Sequence, residues 1–554
     1  MRDGVRWEID GLCAEDAKSV FAWVSGTDGP GEIVNESRAR RVVRLPGASG
    51  DLYLKHDRVR GIWPRLRFAI APSRARAEWE MARRLSGLKI PTVRPLALGE
   101  RRRFGLPADS WLVTEGIQDA QSLDALLRAR EAPVGGLPGG RWRRDLARAL
   151  GHVVSAFHRE GFCHRDLHPG NFLVQSVGEP GLRVWLIDLQ KAGDAGGAAG
   201  RARITDLAWL DYGARLRVFR TDRLRFLRAY LAEAPGGPVP WKGCARAVLA
   251  ASHARAKRHW KRREKRALRG GPHFVRERVA GGTLHRAEGV PRDQMLDVIA
   301  RAEGAAGPDV LRETRRARVV RVRRPSGERY CVKRYRRAAG WALYRRDRAR
   351  AAWRAAEGCR LRGVATPRAL ALLEPGRGGG ASSFVMEDLG VLPWLTHHAA
   401  LTLRGAGVPR SRRSAFARAV GGWLRHLHGQ GVRHGDLKAG NILVDARPGG
   451  WRFVLLDLED VDFPARIPPE DRERALVQLC GSLPPQVSAT DRLRAFRAYA
   501  AGGTLGDARE TRRALGRIVR RSIARRHLWG PEARPWVPEP EGYGEGTGPP
   551  AGGA

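Results

Sequence analysis

Two short stretches hold the residues best suited to chemistry, "HRDLHPGNFLV" at 164–174 and "HGDLKAGNILV" at 434–444. Each has a His, an Asp two residues later and an Asn five residues beyond that, leading into an apolar run. A second Asp follows the Asn by 17 or 16 residues, inside an apolar "IDL" or "LDL". A lone carboxylate after a histidine means little. A carboxylate, an amide and a second carboxylate brought together by adjoining strands match what phosphoryl transfer needs. One carboxylate, Asp166 or Asp436, orients or deprotonates an acceptor hydroxyl. The amide and the other carboxylate, Asn171 with Asp188 and Asn441 with Asp457, offer hard oxygen ligands to Mg2+. His164 and His434 read as braces of the loop rather than as reacting groups. Lys438 lies two residues past its Asp, where an ammonium meets the transferring phosphoryl group, and His168 holds that place in the first copy.

The elements around these loops are also duplicated. "SRARRVVRLPGASGDLYLKHD" (37–57) matches "TRRARVVRVRRPSGERYCVKRY" (314–335), and "EWEMARRLSGLKIPTVRPLAL" (78–98) matches "AWRAAEGCRLRGVATPRALAL" (352–372). "WLVTEG" matches "SFVMEDL", "VWLIDLQ" matches "FVLLDLE", and "TDRLRFLRAY" matches "TDRLRAFRAY", all in the same order at offsets of 269 to 278 residues. Collinear matches of this kind mean two copies of one fold. The expected domains are 1–265 and 266–530, joined near the basic helical run 252–272, with a disordered Pro/Gly-rich tail at 531–554. The run is either a polybasic contact for phosphates or headgroups, or a solvated linker helix.

Each copy opens with two β-like runs around a turn, and the second run ends in a lysine, Lys55 or Lys333. Of the 101 basic residues only ten are Lys, so a retained Lys marks a site that needs a compact ammonium, although an edge-strand lysine would read the same. Glu78, on the helix that follows, either pairs with Lys55 or faces solvent. The second copy has Ala352 in that place, with Glu357 about one turn later. An apolar strand then ends in acid, at Glu115 or Glu387, as a connector whose backbone suits an adenine or as a plain strand end.

The net charge of +43 suggests an anionic neighbour, but the preponderance of Arg over Lys assigns much of it to drift in a GC-rich coding sequence. The 17 Trp sit mostly in apolar or amphipathic contexts and read as core, so no specific nucleic acid is expected. Six cysteines without paired spacing, no leader-like apolar segment and no run near 18 apolar residues point to a cytoplasmic protein.

The order Lys, Glu, H-x-D-L-x-x-x-N, Asp resembles the protein-kinase-like fold. "HGDLKAGNILV", "LLDLED", "SGERYCVKRY" and "GVATPRALAL" resemble the bacterial lipopolysaccharide kinase family, which includes the Kdo and core heptose kinases, here as a tandem pair over about 20–260 and about 300–530. The resemblance implies an α+β chain of two kinase-like domains, each with a small β-rich N-lobe and a larger helical C-lobe. It further implies ATP and Mg2+ as cofactors, a lipopolysaccharide core sugar hydroxyl as acceptor, and peripheral contact with the inner membrane face. Two departures stand out: there is no G-x-G-x-x-G loop, and "DLQ" and "DLE" replace Asp-Phe-Gly. Both argue against a regulated protein kinase. The "HRDLHPGN" stretch also resembles aminoglycoside and choline phosphotransferases, which keeps a small-molecule phosphotransferase as the alternative. Arg-rich segments after each second Asp weigh against a cationic acceptor. A pseudokinase scaffold with a basic binding surface is the non-enzyme alternative.

Overall fold

The computed structural model describes residues 4–26, 31–37, 39–59, 68, 71–103, 105–129, 140–176, 181–234, 240–336, 347–376, 380–390, 392–403, 407–484 and 486–524. The expected tail at 531–554 lies outside them. The chain divides into two compact units, Met1–Arg258 and His259–Ala554.

In the first unit an antiparallel sheet runs in the spatial order Val5–Ile9, Pro95–Arg103, Leu106–Glu115, Gly50–Arg58, Arg40–Gly47, Glu32–Glu36. The period-two alternation of Gly50–Arg58 turns Leu52 and Leu54 into a core with Val43, Leu45 and Val20. Lys55 and Asp57 take the other face. The helix Arg74–Gly87 is started by Ser73, whose Oγ accepts from Arg76 N–H at 3.1 Å. Its buried stripe is Ala75, Glu78, Trp79, Ala82 and Leu85, so a carboxylate is carried into the interior beside apolar neighbours.

The second unit repeats this plan with one more strand. Its sheet runs Phe274–Val279, Gly282–Ala287, Ala369–Pro375, Ser382–Glu387, Arg329–Tyr335, Ala317–Arg323, Val310–Glu313. Val319 pairs with Lys333 as Val42 pairs with Lys55. The helix Arg348–Leu361 is capped by Asp347 and buries Trp353 one residue after Ala352, as the first unit buries Trp79 after Glu78. The basic run expected at the join lies on the helix Trp241–Arg269, followed by Gly270 at φ 84°.

The helical parts also correspond. Gly140–Arg159 packs on Arg220–Ala232, and Arg410–Gly429 on Ala489–Ala500. Gly151 and Gly421 permit these approaches: a Cβ on Gly151 would lie 2.7 Å from Ala229 Cβ, and one on Gly421 would lie 2.0 Å from Ala495 O. Near the end of each first helix a buried histidine meets a tyrosine, His158 with Tyr230 at 3.0 Å and His428 with Tyr499 at 2.8 Å. Each H-x-D-L-x-x-x-N loop ends in one turn of 3-10 helix and enters a hairpin, Phe172–Ser176 with Leu182–Leu186 or Ile442–Arg447 with Gly450–Leu455. No helix among the described residues is long and apolar enough to cross a membrane.

Candidate active sites

In each unit the loop is fastened to the strand that carries the second Asp. Asn171 Nδ2 donates to the Asp166 carbonyl at 2.9 Å, and Asn441 Nδ2 to the Asp436 carbonyl at 2.8 Å. The amide nitrogen is thereby committed, which leaves the amide oxygen as a ligand atom. Ile187 N–H donates to Asn171 O at 2.9 Å and Leu456 N–H to Asn441 O at 2.8 Å, so the Asn and the second Asp are tied through backbone. The histidines brace the same junction: His164 Nε2 meets Ile187 O at 3.1 Å, and His434 Nε2 meets Leu456 O at 2.9 Å. His434 Nδ1 also accepts from Asp436 N–H, and burial holds this ring below its ordinary pKa, so it is a neutral strut.

Beneath the first loop, Asp206 accepts from the backbone N–H groups of His164 at 2.6 Å and Arg165 at 2.8 Å. Asp206, His158 and Cys163 could together offer metal-ligand atoms, but both carboxylate oxygens already serve these backbone donors. Gln478 braces the second loop instead, accepting from Leu437 N–H at 3.1 Å and donating to Gly435 O at 2.9 Å.

Asp188 and Asp457 both sit in the left-handed backbone region, at φ 60° and 51°. That conformation is uncommon for a residue with a Cβ and tolerable for Asp. It puts each carboxylate against the strand lysine's surroundings. In the first unit, Lys55 Nζ lies 2.5 Å from Glu78 Oε1, in a pair almost closed to solvent. Arg40 enters beside it, with Nη2 3.2 Å from Glu78 Oε2 and Nη1 2.8 Å from Asp188 Oδ1. Burial opposes the charge on Asp188, but Arg40 and Lys55 outweigh it and hold the carboxyl below its ordinary range.

The second unit solves the same problem differently. Lys333 Nζ lies 2.7 Å from Asp457 Oδ1 and 2.7 Å from Glu459 Oε1, and Tyr335 Oη lies 3.1 Å from Glu459 Oε2. Burial weakens the Lys333 charge, and the two carboxylates more than restore it, raising its pKa. Asp457 is lowered in turn: burial works against its charge and Lys333 prevails. Glu357 does not replace the missing helix carboxylate. It is held by Arg263 at 3.0 Å and Arg360 at 2.7 Å.

A second exchange concerns the Asp of the H-x-D-L-x-x-x-N loop. Lys438 Nζ lies 2.8 Å from Asp436 Oδ2. His168, expected to hold the matching place, turns its Nδ1 to accept from Gly170 N–H at 3.1 Å and caps the short helix, and burial lowers its pKa. The ammonium on Asp166 comes from Lys191, three residues past Asp188.

The geometry therefore brings together Lys55, Glu78, Asp188, Asn171 and Asp166 in one unit, and Lys333, Asp457, Asn441, Asp436 and Lys438 in the other. Glu115 and Glu387 end the sheet strands that pair with the lysine strands, and their N–H groups donate to Arg94 O at 2.9 Å and Arg368 O at 3.0 Å. Three residues at the sites were not foreseen: Arg40, Lys191 and Glu459. An arginine carries no signal in this chain. Lys191 did carry one, since it is among only ten lysines.

A lysine-bearing sheet over a helical part that supplies H-x-D-L-x-x-x-N and a left-handed Asp defines a phosphotransferase of the protein-kinase-like class. The family described as "Lipopolysaccharide kinase (Kdo/WaaP) family" matches residues 27–230 and again 309–499. The chain belongs to that family, and carries it twice. It is 30% identical over 210 residues to lipopolysaccharide core heptose(I) kinase WaaP of Pseudomonas aeruginosa, covering 36% of this chain and 76% of that protein. It is 31% identical over 151 residues to a 3-deoxy-D-manno-octulosonic acid kinase of Haemophilus influenzae, covering 26% of this chain and 58% of that protein. Among solved structures, "WaaP in complex with acyl carrier protein" aligns at 26% identity and a TM-score of 0.35, covering 46% of this chain and 98% of that one.

Proposed function

We propose that both units are ATP-dependent kinases that transfer the γ-phosphate to a sugar hydroxyl of lipopolysaccharide core, Kdo or heptose. The observation that carries this reading is that each unit has a complete charge set: a largely buried lysine held by acid, an Asn–Asp pair and an acceptor-side Asp with its own ammonium. Kinship to relatives named for these activities supplies the substrate class.

Lys55 and Lys333 meet the phosphates of the nucleotide, each kept in place by carboxylates. Asn171 with Asp188, and Asn441 with Asp457, hold Mg2+, whose hard oxygen preference suits an amide oxygen and a carboxylate. The metal supplies charge neutralisation on the phosphates when bound. Asp166 and Asp436 accept a hydrogen bond from the acceptor hydroxyl and take its proton as its oxygen bonds to the γ-phosphorus and the bond from that phosphorus to the bridging oxygen of departing ADP breaks. The adjacent ammonium, from Lys191 or Lys438, faces the transferring group. Glu115 and Glu387 stand where the adenine is expected. The substrate is an anionic glycolipid, so action at the inner membrane face follows; no helix among the described residues is long and apolar enough to cross that membrane.

The test is transfer of labelled γ-phosphate from Mg-ATP to purified core lipopolysaccharide by wild type, Asp166→Asn, Asp436→Asn and the double variant. Partial loss in each single variant and complete loss in the double are expected. Transfer abolished by one single change would leave the other unit without catalysis. Nucleotide binding without transfer would redirect the search to small-molecule acceptors.

A further inference from the structure

We propose that Glu459 is the positioning residue of the second unit, taking from beyond the metal-side Asp the part that Glu78 takes from the helix in the first. This rests on the kinase reading of the second unit given above.

In the first unit the carboxylate on Lys55 comes from the helix Arg74–Gly87, five residues into it. The matching helix position in the second unit is Ala352, which has no polar atom to give. The nearest helix acid, Glu357, is closed off by Arg263 and Arg360. A buried ammonium without enough acid around it is costly, so the lysine must find a partner elsewhere. Glu459 provides it. Its side chain is almost as buried as that of Glu78, at 8% against 4% exposure, so the ion pair is screened little by water.

The corresponding position in the first unit is Gln190, whose Nε2 lies 3.2 Å from Asp188 Oδ1. The two units thus hold one acid and one neutral residue at the same pair of positions, in opposite order: Glu78 with Gln190, and Ala352 with Glu459. Tyr335 completes the second arrangement. It stands two residues past Lys333 on the same strand face and donates its hydroxyl to the other oxygen of Glu459 at 3.1 Å. One oxygen of Glu459 is therefore fixed by the sheet while the other holds the ammonium. That is the geometry of a residue that acts through Lys333 and need not touch substrate.

The full-length protein can report on both lysines at once. An acyl-phosphate derivative of ATP, added with Mg2+, acylates a lysine lying against the nucleotide phosphates, and peptide mass spectrometry reads Lys55 and Lys333 separately. In wild type both are expected to be labelled. In Glu459→Gln, an isosteric change, label on Lys333 should fall about tenfold or more, since small misplacement of a reacting group has effects of that order. Label on Lys55 should stay as it was, and the variant should remain folded at the assay temperature. Glu78→Gln should give the mirror image. In an Asp166→Asn background, Glu459→Gln should also raise the KM for ATP in transfer. Undiminished label on Lys333 in folded Glu459→Gln overturns the proposal and leaves the kinase reading intact. Absence of label on Lys333 in wild type overturns that reading for the second unit, and this proposal with it.

Discussion

Lys191 forms its ion pair with Asp166 although 25 residues separate them in the chain. In the second unit Asp436 takes its ammonium from Lys438, two residues away on the same loop. The local contact and the distant one put the same charge on the same carboxylate. Lys191→Met, made in an Asp436→Asn background, should lower the remaining transfer by about 10- to 100-fold. His168→Ala should cost far less rate, because His168 caps a turn and its loss is a stability effect of about 1 kcal/mol. Initial-rate measurements on the two variants separate the roles; equal losses would contradict this assignment.

Arg40 lies on Asp188, whereas the matching strand position of the second unit, Ala317, brings no charge. A guanidinium on a metal-side carboxylate competes with a divalent cation. Lys333 holds the matching place on Asp457, so the effect is read within the first unit, where Arg40 adds to the need for Mg2+. Arg40→Ala in the Asp436→Asn background should reduce that requirement severalfold, as expected for removing a neighbouring unit charge. A Mg2+ titration of transfer measures it. An unchanged requirement would mean that Arg40 leaves Asp188 whenever nucleotide binds.

His428 responds to acid in a calculable direction. Burial, with a smaller contribution from Arg472, lowers its pKa from 6.5 to about 3. Below pH 6.5 the unfolded chain takes up a proton that the folded one refuses, so stability falls with pH by about 1.4 kcal/mol per unit until pH 3 is approached. Between pH 6.5 and pH 5 this group alone should remove about 2 kcal/mol. His428→Asn keeps an acceptor for Tyr499 without a basic ring. Urea unfolding of the full chain at the two pH values should show a smaller acid loss in the variant.

Gly421 packs where a Cβ would lie 2.0 Å from Ala495 O and 2.9 Å from Ala498 Cβ. Backbone cannot give way as a flexible side chain can. Gly421→Ala should destabilise the second unit by about 1–3 kcal/mol, the range seen for overpacking. The loss of transfer on mild heating in an Asp166→Asn background should then come several degrees earlier. An unaffected profile would mean that the two helices slide apart without penalty.

The architecture was readable because chemistry and periodicity coincided. The loops at 164–174 and 434–444 marked themselves, and Lys55 and Lys333 stood out against the arginines. Glu78 was ambiguous as a helix carboxylate until its burial beside Trp79 was seen. Arg40 was hidden by composition, since any of 91 arginines has the same standing in the sequence. Glu459 and Lys191 escaped for another reason. Their partners lie 126 and 25 residues away, and nothing in local spacing links a residue after the second Asp to a strand or loop that far off. Glu357 drew attention by proximity in sequence, yet Arg263 and Arg360 had taken it.

The opposite placement of acid in the two units bears on how duplicated enzymes are judged. Compared column by column, the second copy lacks an acid at Ala352 and the first lacks a loop lysine at His168, so each would be scored as degenerate. Counted in space, neither has lost the acid on its strand lysine or the ammonium on its loop Asp. Vestigial status therefore has to be assigned from the inventory of a copy's interior, because a duplicate can relocate a part to another segment and discard the original.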